Sequence, residues 1–136
     1  MIIAGSRCLA VARPIPLERY AHEYDIWKMR VARVLRAIDA CAATFDRPVT
    51  QVISGCAQGV DQVGEEWAAA NRIPVEPMPA DWDMHGRAAG PIRNKAMAQR
   101  ADALILVWDG QSRGSASMKR EAEAAKLEMA VLVLRP

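Results

Sequence analysis

The pattern that most constrains this chain is a short β-branched run that stops at a small-residue turn and passes at once into a helix. Residues 49–62 show it most fully. Val49, Thr50, Val52 and Ile53 end at Ser54-Gly55, a second glycine follows at Gly59, and a helical pattern begins straight after it. At such a turn, main-chain N–H groups without intrahelical partners sit beside the positive end of the helix dipole, where an anion is stabilised. Small residues (Ser54, Gly55, Cys56, Ala57, Gly59) leave the main chain open to a ligand. A glycine turn that serves only its own strand-to-helix geometry has the same appearance, and on this stretch alone both readings stand.

The device recurs. Met1 to Arg7 is an apolar strand ending in Gly5-Ser6-Arg7. Ala103 to Trp108 is a stronger strand that reaches Asp109-Gly110 and passes through Ser112, Arg113, Gly114 and Ser115 into another helix. In a parallel sheet these strand ends share one edge, the edge at which open α/β folds bind ligands. Three small-residue turns, two of them carrying arginine, are therefore expected to face a common crevice.

Between these landmarks the chain alternates strands and helices. Val31, Val34, Leu35, Ile38, Cys41, Ala42 and Phe45 give residues 28–45 one apolar helical face, ended by Asp46-Arg47-Pro48. Residues 60–71 form a second helix with Val60, Val63, Trp67 and Ala70 as its buried stripe. Ile73–Met78 reads as an edge strand because of its prolines. Residues 80–87 read as polar and irregular, and helices follow from about Pro91 to Arg100 and over 115–128. Ala130–Leu134 is the last strand. Pro14 and Pro16 argue against regular structure after Arg7, and residues 17–27 fit either a short helix or a lid over the crevice. Five strands alternating with four helices predict one α/β domain over 1–136, a Rossmann-like three-layer sandwich with a mainly parallel sheet.

Composition narrows the function classes. A length of 136 residues suits one core, and a net charge of +2 is too mild for a concentrated nucleic-acid face. Cys8, Cys41 and Cys56 have neither metal-ligand spacing nor the even number of a disulfide framework, so a reducing cytoplasm is expected. The chain opens on a strand, so no leader is expected, and no apolar run approaches the ~20 residues of a membrane span.

Five blocks carry a family resemblance: Gly5-Ser6-Arg7; Ser54 to Asp61; Ala80-Asp81-Trp82; Gly86 through Gly90 to Asn94; and Trp108 to Ser115. Together they resemble the YspA-like family, a domain-of-unknown-function group of bacteria and phages in the SLOG superfamily of Smf/DprA and LOG relatives. The resemblance covers nearly the whole chain outside residues 8–27. It implies a Rossmann-like domain that binds a nucleotide or nucleotide-derived phosphorylated molecule as a sensor or binding protein. Two alternatives come with it: LOG-like phosphoribohydrolase (N-glycosidase) activity on a nucleoside monophosphate, and DprA-like DNA binding. The second is opposed by the near-neutral charge. Relatives in the superfamily often pair, so a homodimer is an expectation.

The departures from the pattern bear on chemistry. Where the family has Gly-Gly-Ala-Arg-Gly-Val-Asp, this chain has Cys56 for the second glycine and Gln58 for the arginine. Arg93 resembles the LOG-type catalytic arginine, but the glutamate position falls on Met118, whose thioether is neither acid nor base. Glu121 lies one helical turn further on.

For the candidate residues the expectations are these. Arg7, Arg93, Asn94 and Arg113 meet phosphate, or are surface groups tied to neighbouring carboxylates. Asp61 and Asp109 bond a ribose hydroxyl or serve their own helix dipoles. Trp82 stacks on a base or fills a core or interface role, and Gly90 lies in the block that opens the next helix. Asp81, Asp83 and His85 resemble a metal cluster only loosely, so neither a metal nor a cofactor is expected. His22 reads as an ordinary polar residue. Cys56 has no histidine partner nearby in sequence to make it a nucleophile.

Overall fold

A computed structural model describes residues 1–10 and 21–135. Five strands, β1 (Ile2–Gly5), β2 (Val52–Ser54), β3 (Val75–Pro77), β4 (Ala103–Trp108) and β5 (Glu128–Val133), form one sheet in the order β3-β2-β1-β4-β5. Every pairing is parallel, with Ile2 beside both Ile53 and Leu104 and Gly5 beside Val107. The helices are α1 (Ala21–Ala42), α2 (Val60–Ala70), the short α3 (Trp82–His85), α4 (Ala89–Arg100) and α5 (Arg113–Ala124). This is the expected Rossmann-like three-layer arrangement, with the proline-flanked β3 at an edge.

Strands covered on both faces must be apolar at successive positions, and β4 is: Ala103 through Val107 are all buried. Alternate residues serve opposite cores. Ile3, Val52, Ile105 and Val107 pack with Val34 and Ile38 of α1 and with Val60, Val63 and Trp67 of α2. Ile2, Ala4, Ile53, Leu104 and Leu106 pack with Met97 of α4 and with Met118 and Ala122 of α5. Each such large side chain contributes about 1.5–3 kcal/mol by leaving water. The Trp67 indole N–H, which would be orphaned by that burial, donates to Asp39 at 2.6 Å and ties α2 to α1.

The sequence boundaries shift in instructive ways. Residues 21–27 belong to α1, so this part of the 17–27 stretch is helix; residues 11–20 lie outside the described region, as does the side chain of His22. The α1 helix stops at Ala42, three residues short of Phe45, and the Thr44 hydroxyl donates back to the Cys41 carbonyl at 2.7 Å. In α2, Ala70 is exposed, and Gly64 and Ala68 complete the buried stripe instead. A Cβ on Gly64 would lie 2.7 Å from Ile3 Cγ2, so the helix sits too close to the sheet for a side chain there. Residues 80–87 are not irregular. They hold α3 and a 3-10 turn over Gly86–Ala88. The α5 helix begins two residues earlier than expected and ends four earlier, and β5 starts at Glu128.

The strand order places the site. From β1 the chain moves outward through β2 to β3, and β4 then returns to the other side of β1. The α1 and α2 helices serve one core while α4 and α5 serve the other. Connections leaving β1 and β4 therefore diverge to opposite faces, and a crevice opens beyond their carboxyl ends.

Candidate functional site

That crevice is a cleft of about 690 Å³. A smaller one of about 290 Å³, lined by Met1, Gln51, Arg100 and Asp102 among others, lies at the opposite edge of the sheet, away from every candidate residue. The larger cleft is lined by Gly5, Ser6, Arg7, Ala57, Asp61, Trp82, Gly90, Arg93, Asn94, Asp109, Ser112, Arg113, Gly114 and Ser115. Four residues expected there do not line it: Ser54, Gly55, Cys56 and Gly59.

The physical reason is that the central turn spends its polar groups on itself. The Cys56 amide donates to Ser54 Oγ at 3.1 Å and the Ala57 amide to Asp61 Oδ2 at 3.3 Å, while the Ser54 hydroxyl donates to Glu65 at 2.6 Å. Gly59, at φ +90°, faces the main chain leaving β1, and a Cβ there would lie 2.7 Å from Arg7 Cα. Both glycines are thus required by contacts within the protein, since a Cβ on Gly55 would lie 2.8 Å from both the Arg93 guanidinium and the Asp61 carboxylate. Cys56 adopts φ 60°, a left-handed conformation that costs a non-glycine residue about 1–2 kcal/mol. Burial and the Glu65 carboxylate push its thiol above its ordinary pKa, which works against a nucleophilic thiolate.

The third turn is built differently. Asp109 accepts the amides of Gln111 (2.9 Å) and Ser112 (2.8 Å) and the hydroxyls of Ser112 (2.9 Å) and Ser6 (3.1 Å). Those donors, the two main-chain amides foremost, hold its carboxyl well below the usual range. The Asp109 side chain is therefore committed to shaping the loop and fastening it to the end of β1. Beyond it, the N–H groups of Arg113, Gly114 and Ser115 occupy the first turn of α5, where helix geometry supplies no acceptor. Asp109→Ala is expected to lower stability by about 1–2 kcal/mol, in the manner of a lost helix cap. A thermal melt checks this, and a variant that melts with the wild type would refute the assignment.

Arg93 and Asn94 stand on α4, across the cleft from α5. The Arg93 guanidinium donates to the Gly55 carbonyl through Nη1 and to Asn94 Oδ1 through Nε at 2.9 Å. Asn94, itself buried, donates to Ser117 Oγ (3.3 Å) and the Gly114 carbonyl (3.4 Å), bridging α4 to α5. Burial pulls the Arg93 pKa below its ordinary value, opposed by the charge of Asp61. Asp61 is buried as well, and desolvation pushes its carboxyl up to about 6, against the pull of the Ala57 amide and Arg93. Trp82 is 53% exposed at the mouth, where a Cβ on Gly90 would meet its ring at 3.5 Å. Asp81 caps α3 by accepting the Met84 amide at 3.1 Å. Among the described residues, no three His, Cys, Asp or Glu side chains are grouped to hold a metal.

Arg87 and Arg120 also line the cleft, and neither was among the residues expected there. Arg120 had a usable signal, since Arg113, Ser117 and Arg120 repeat at i, i+4, i+7 on one helical face. Arg87 had none beyond its block. Met118 lies 2% exposed in the floor with Met97 and Ala4. Among the described residues, Arg7, Arg87, Arg113 and Arg120 have no ion-pair partner. An apolar floor ringed by unpaired guanidinium groups suits a ligand with an apolar or aromatic body and anionic oxygens.

The fold is that of a Rossmann-like α/β domain with an open cleft at the carboxyl edge of its sheet. Residues 22–85 match the model of the family described as the YspA, cpYpsA-related SLOG family. The chain is also similar to the Gene 61 protein of Mycobacterium phage D29, at 35% identity over 80 residues, or 54% of this chain. The match covers 64% of that relative's length. No solved structure matches the chain. No helix among the described residues is long and apolar enough to cross a membrane.

Proposed function

We propose that the cleft binds a nucleotide or nucleotide-derived phosphorylated ligand, as a sensor or binding protein. The observation that carries this reading is the set of unpaired arginines around the apolar floor of Ala4, Met97 and Met118. Phosphate oxygens take Arg7, Arg113 and the first-turn amides of α5, and Trp82 stacks on the base at the mouth. The amide donors on this reading belong to α5, because those of Cys56 and Ala57 are already used. The match of residues 22–85 to the SLOG family model supports the ligand class.

A thermal-shift screen with AMP, ADP-ribose, NAD-type and cyclic nucleotides tests the proposal. A true ligand at a hundred times its Kd stabilises by about 2.7 kcal/mol, or roughly 8–10 °C for a chain of this size. If neither any nucleotide nor phosphate nor sulfate moves the melt, the proposal fails.

One observation favours a second reading, N-glycosidase action on a nucleoside monophosphate: a carboxyl, Asp61, lines the cleft and is pushed up to about 6 by burial. Met118 in the floor supplies no acid or base. Base release from a nucleotide panel, abolished in Arg93→Ala, would establish turnover; binding without base release supports the sensor.

A further inference from the structure

A single phosphate leaves part of the cleft's charge unanswered. Five guanidinium groups, those of Arg7, Arg87, Arg93, Arg113 and Arg120, stand against two carboxylates, Asp61 and Asp109. Both carboxylates are turned to internal donors, Asp109 to the Gln111 and Ser112 amides and Asp61 to that of Ala57. A phosphate monoester carries about −1.5 to −2 at neutral pH, less than the excess of positive charge around it.

Position makes the same point. Arg113 opens α5, and Arg120 follows seven residues later. At 1.5 Å per residue and 3.6 residues per turn, the two lie on one face about 10 Å apart along the axis. Between them the cleft is floored by Met118 and Met97. Thioether and methyl groups there suit a base or sugar better than a second anion. Arg7 follows Ser6, which is bonded to Asp109, and Asp109 in turn holds Ser112 at the start of α5. The end of β1 therefore meets the Arg113 end of that helix, while Arg120 lies two turns further along it.

Resting on the nucleotide reading above, we infer that the ligand carries two separated phosphate groups. One sits at the start of α5 with Arg7 and Arg113, the other beside Arg120, and the nucleoside spans the methionine floor. A nucleoside 3′,5′-bisphosphate and a 5′-phosphorylated dinucleotide share this chemistry.

Calorimetric titration of the intact chain with adenosine 5′-monophosphate, adenosine 3′,5′-bisphosphate and 5′-phosphorylated diadenosine dinucleotide tests the inference and separates the two sources. At least one of the two-phosphate probes is expected to bind ten-fold or more tightly than the monophosphate, and whichever gains identifies the source. Arg120→Ala removes that gain, Arg120→Glu removes it more completely, and Arg113→Ala weakens all three probes. Arg120 is not buried in the core, so neither of its substitutions threatens the fold. Equal binding of all three probes to the wild type, or a gain that survives both Arg120 variants, overturns the inference and leaves the nucleotide reading standing. Absence of binding by every probe removes the nucleotide reading, and this inference with it.

Discussion

A Gly5→Ala variant is expected to lose about 3 kcal/mol of stability or more, the upper end of what overpacking costs. The added Cβ would lie 1.8 Å from the Val107 carbonyl oxygen and 2.8 Å from Val60 Cβ. Neither neighbour can yield. Val107 is main chain in the central strand β4, paired with Gly5 itself, and Val60 is buried at the first turn of α2. Relief requires the end of β1 to move off β4, which breaks the 3.2 Å bond from the Ser6 amide to the Val107 carbonyl. Ser6 in turn holds Asp109, so the damage spreads to the loop ahead of α5. For a chain of this length the loss corresponds to roughly a 10 °C fall in melting temperature. Gly114→Ala is the control. A Cβ added there would meet nothing within 4 Å, and the residue sits in a helix, so the change should be neutral or gain a few tenths of a kcal/mol. Calorimetric melts of both variants decide the matter, and a Gly5→Ala protein melting within ~2 °C of the wild type would contradict the packing described here.

This contrast also explains what the residues disclosed and what they concealed. Strand β4 was legible because a centrally placed parallel strand must be apolar at consecutive positions, and Ala103 to Val107 are. The shared edge was legible because parallel strands separated by helices must deliver all their exit turns to one side. The role of each glycine was not. A glycine announces that something approaches its Cα, without saying whether that is a ligand or the protein's own main chain. At Gly55 and Gly59 it is the protein: Arg93 and Asp61 at the first, the backbone of Arg7 at the second. The amides without an intrahelical acceptor lie instead in the first turn of α5. The α3 helix is hidden because four residues hold barely one helical turn and show no periodicity. Arg87 and Arg120 are hidden because an exposed arginine in sequence looks like solvated surface; only the packing of α4 beside α5 makes them walls of one cleft.

Asp61→Asn is expected to stabilise the protein at neutral pH and to weaken its hold on a nucleotide. The wild-type carboxyl titrates at about 6, against an ordinary value of 3.8, chiefly because burial disfavours its charge. Over that interval the folded chain retains a proton that the unfolded chain has released. The native state therefore binds more protons, and stability falls as pH rises from about 4 to about 6. Above 6 the loss is complete and constant, on the order of 2–3 kcal/mol for a shift of this size. Asparagine removes the ionisation and keeps an oxygen for the Ala57 amide, although it gives up the charge facing Arg93. Desolvation is the larger of the opposed influences, so the variant should exceed the wild type by about 2 kcal/mol at pH 7.5 and lose that advantage near pH 4. Urea unfolding at the two pH values measures the difference, and curves that stay parallel would refute the burial argument. A group that lowers stability where the protein works persists for something other than stability. Asp61 faces the cleft, where its remaining acceptor capacity meets a sugar hydroxyl on the proposed reading. Stability gained with nucleotide affinity unchanged would confine Asp61 to bracing the central turn, and affinity lost alongside the gain would place it against the ligand.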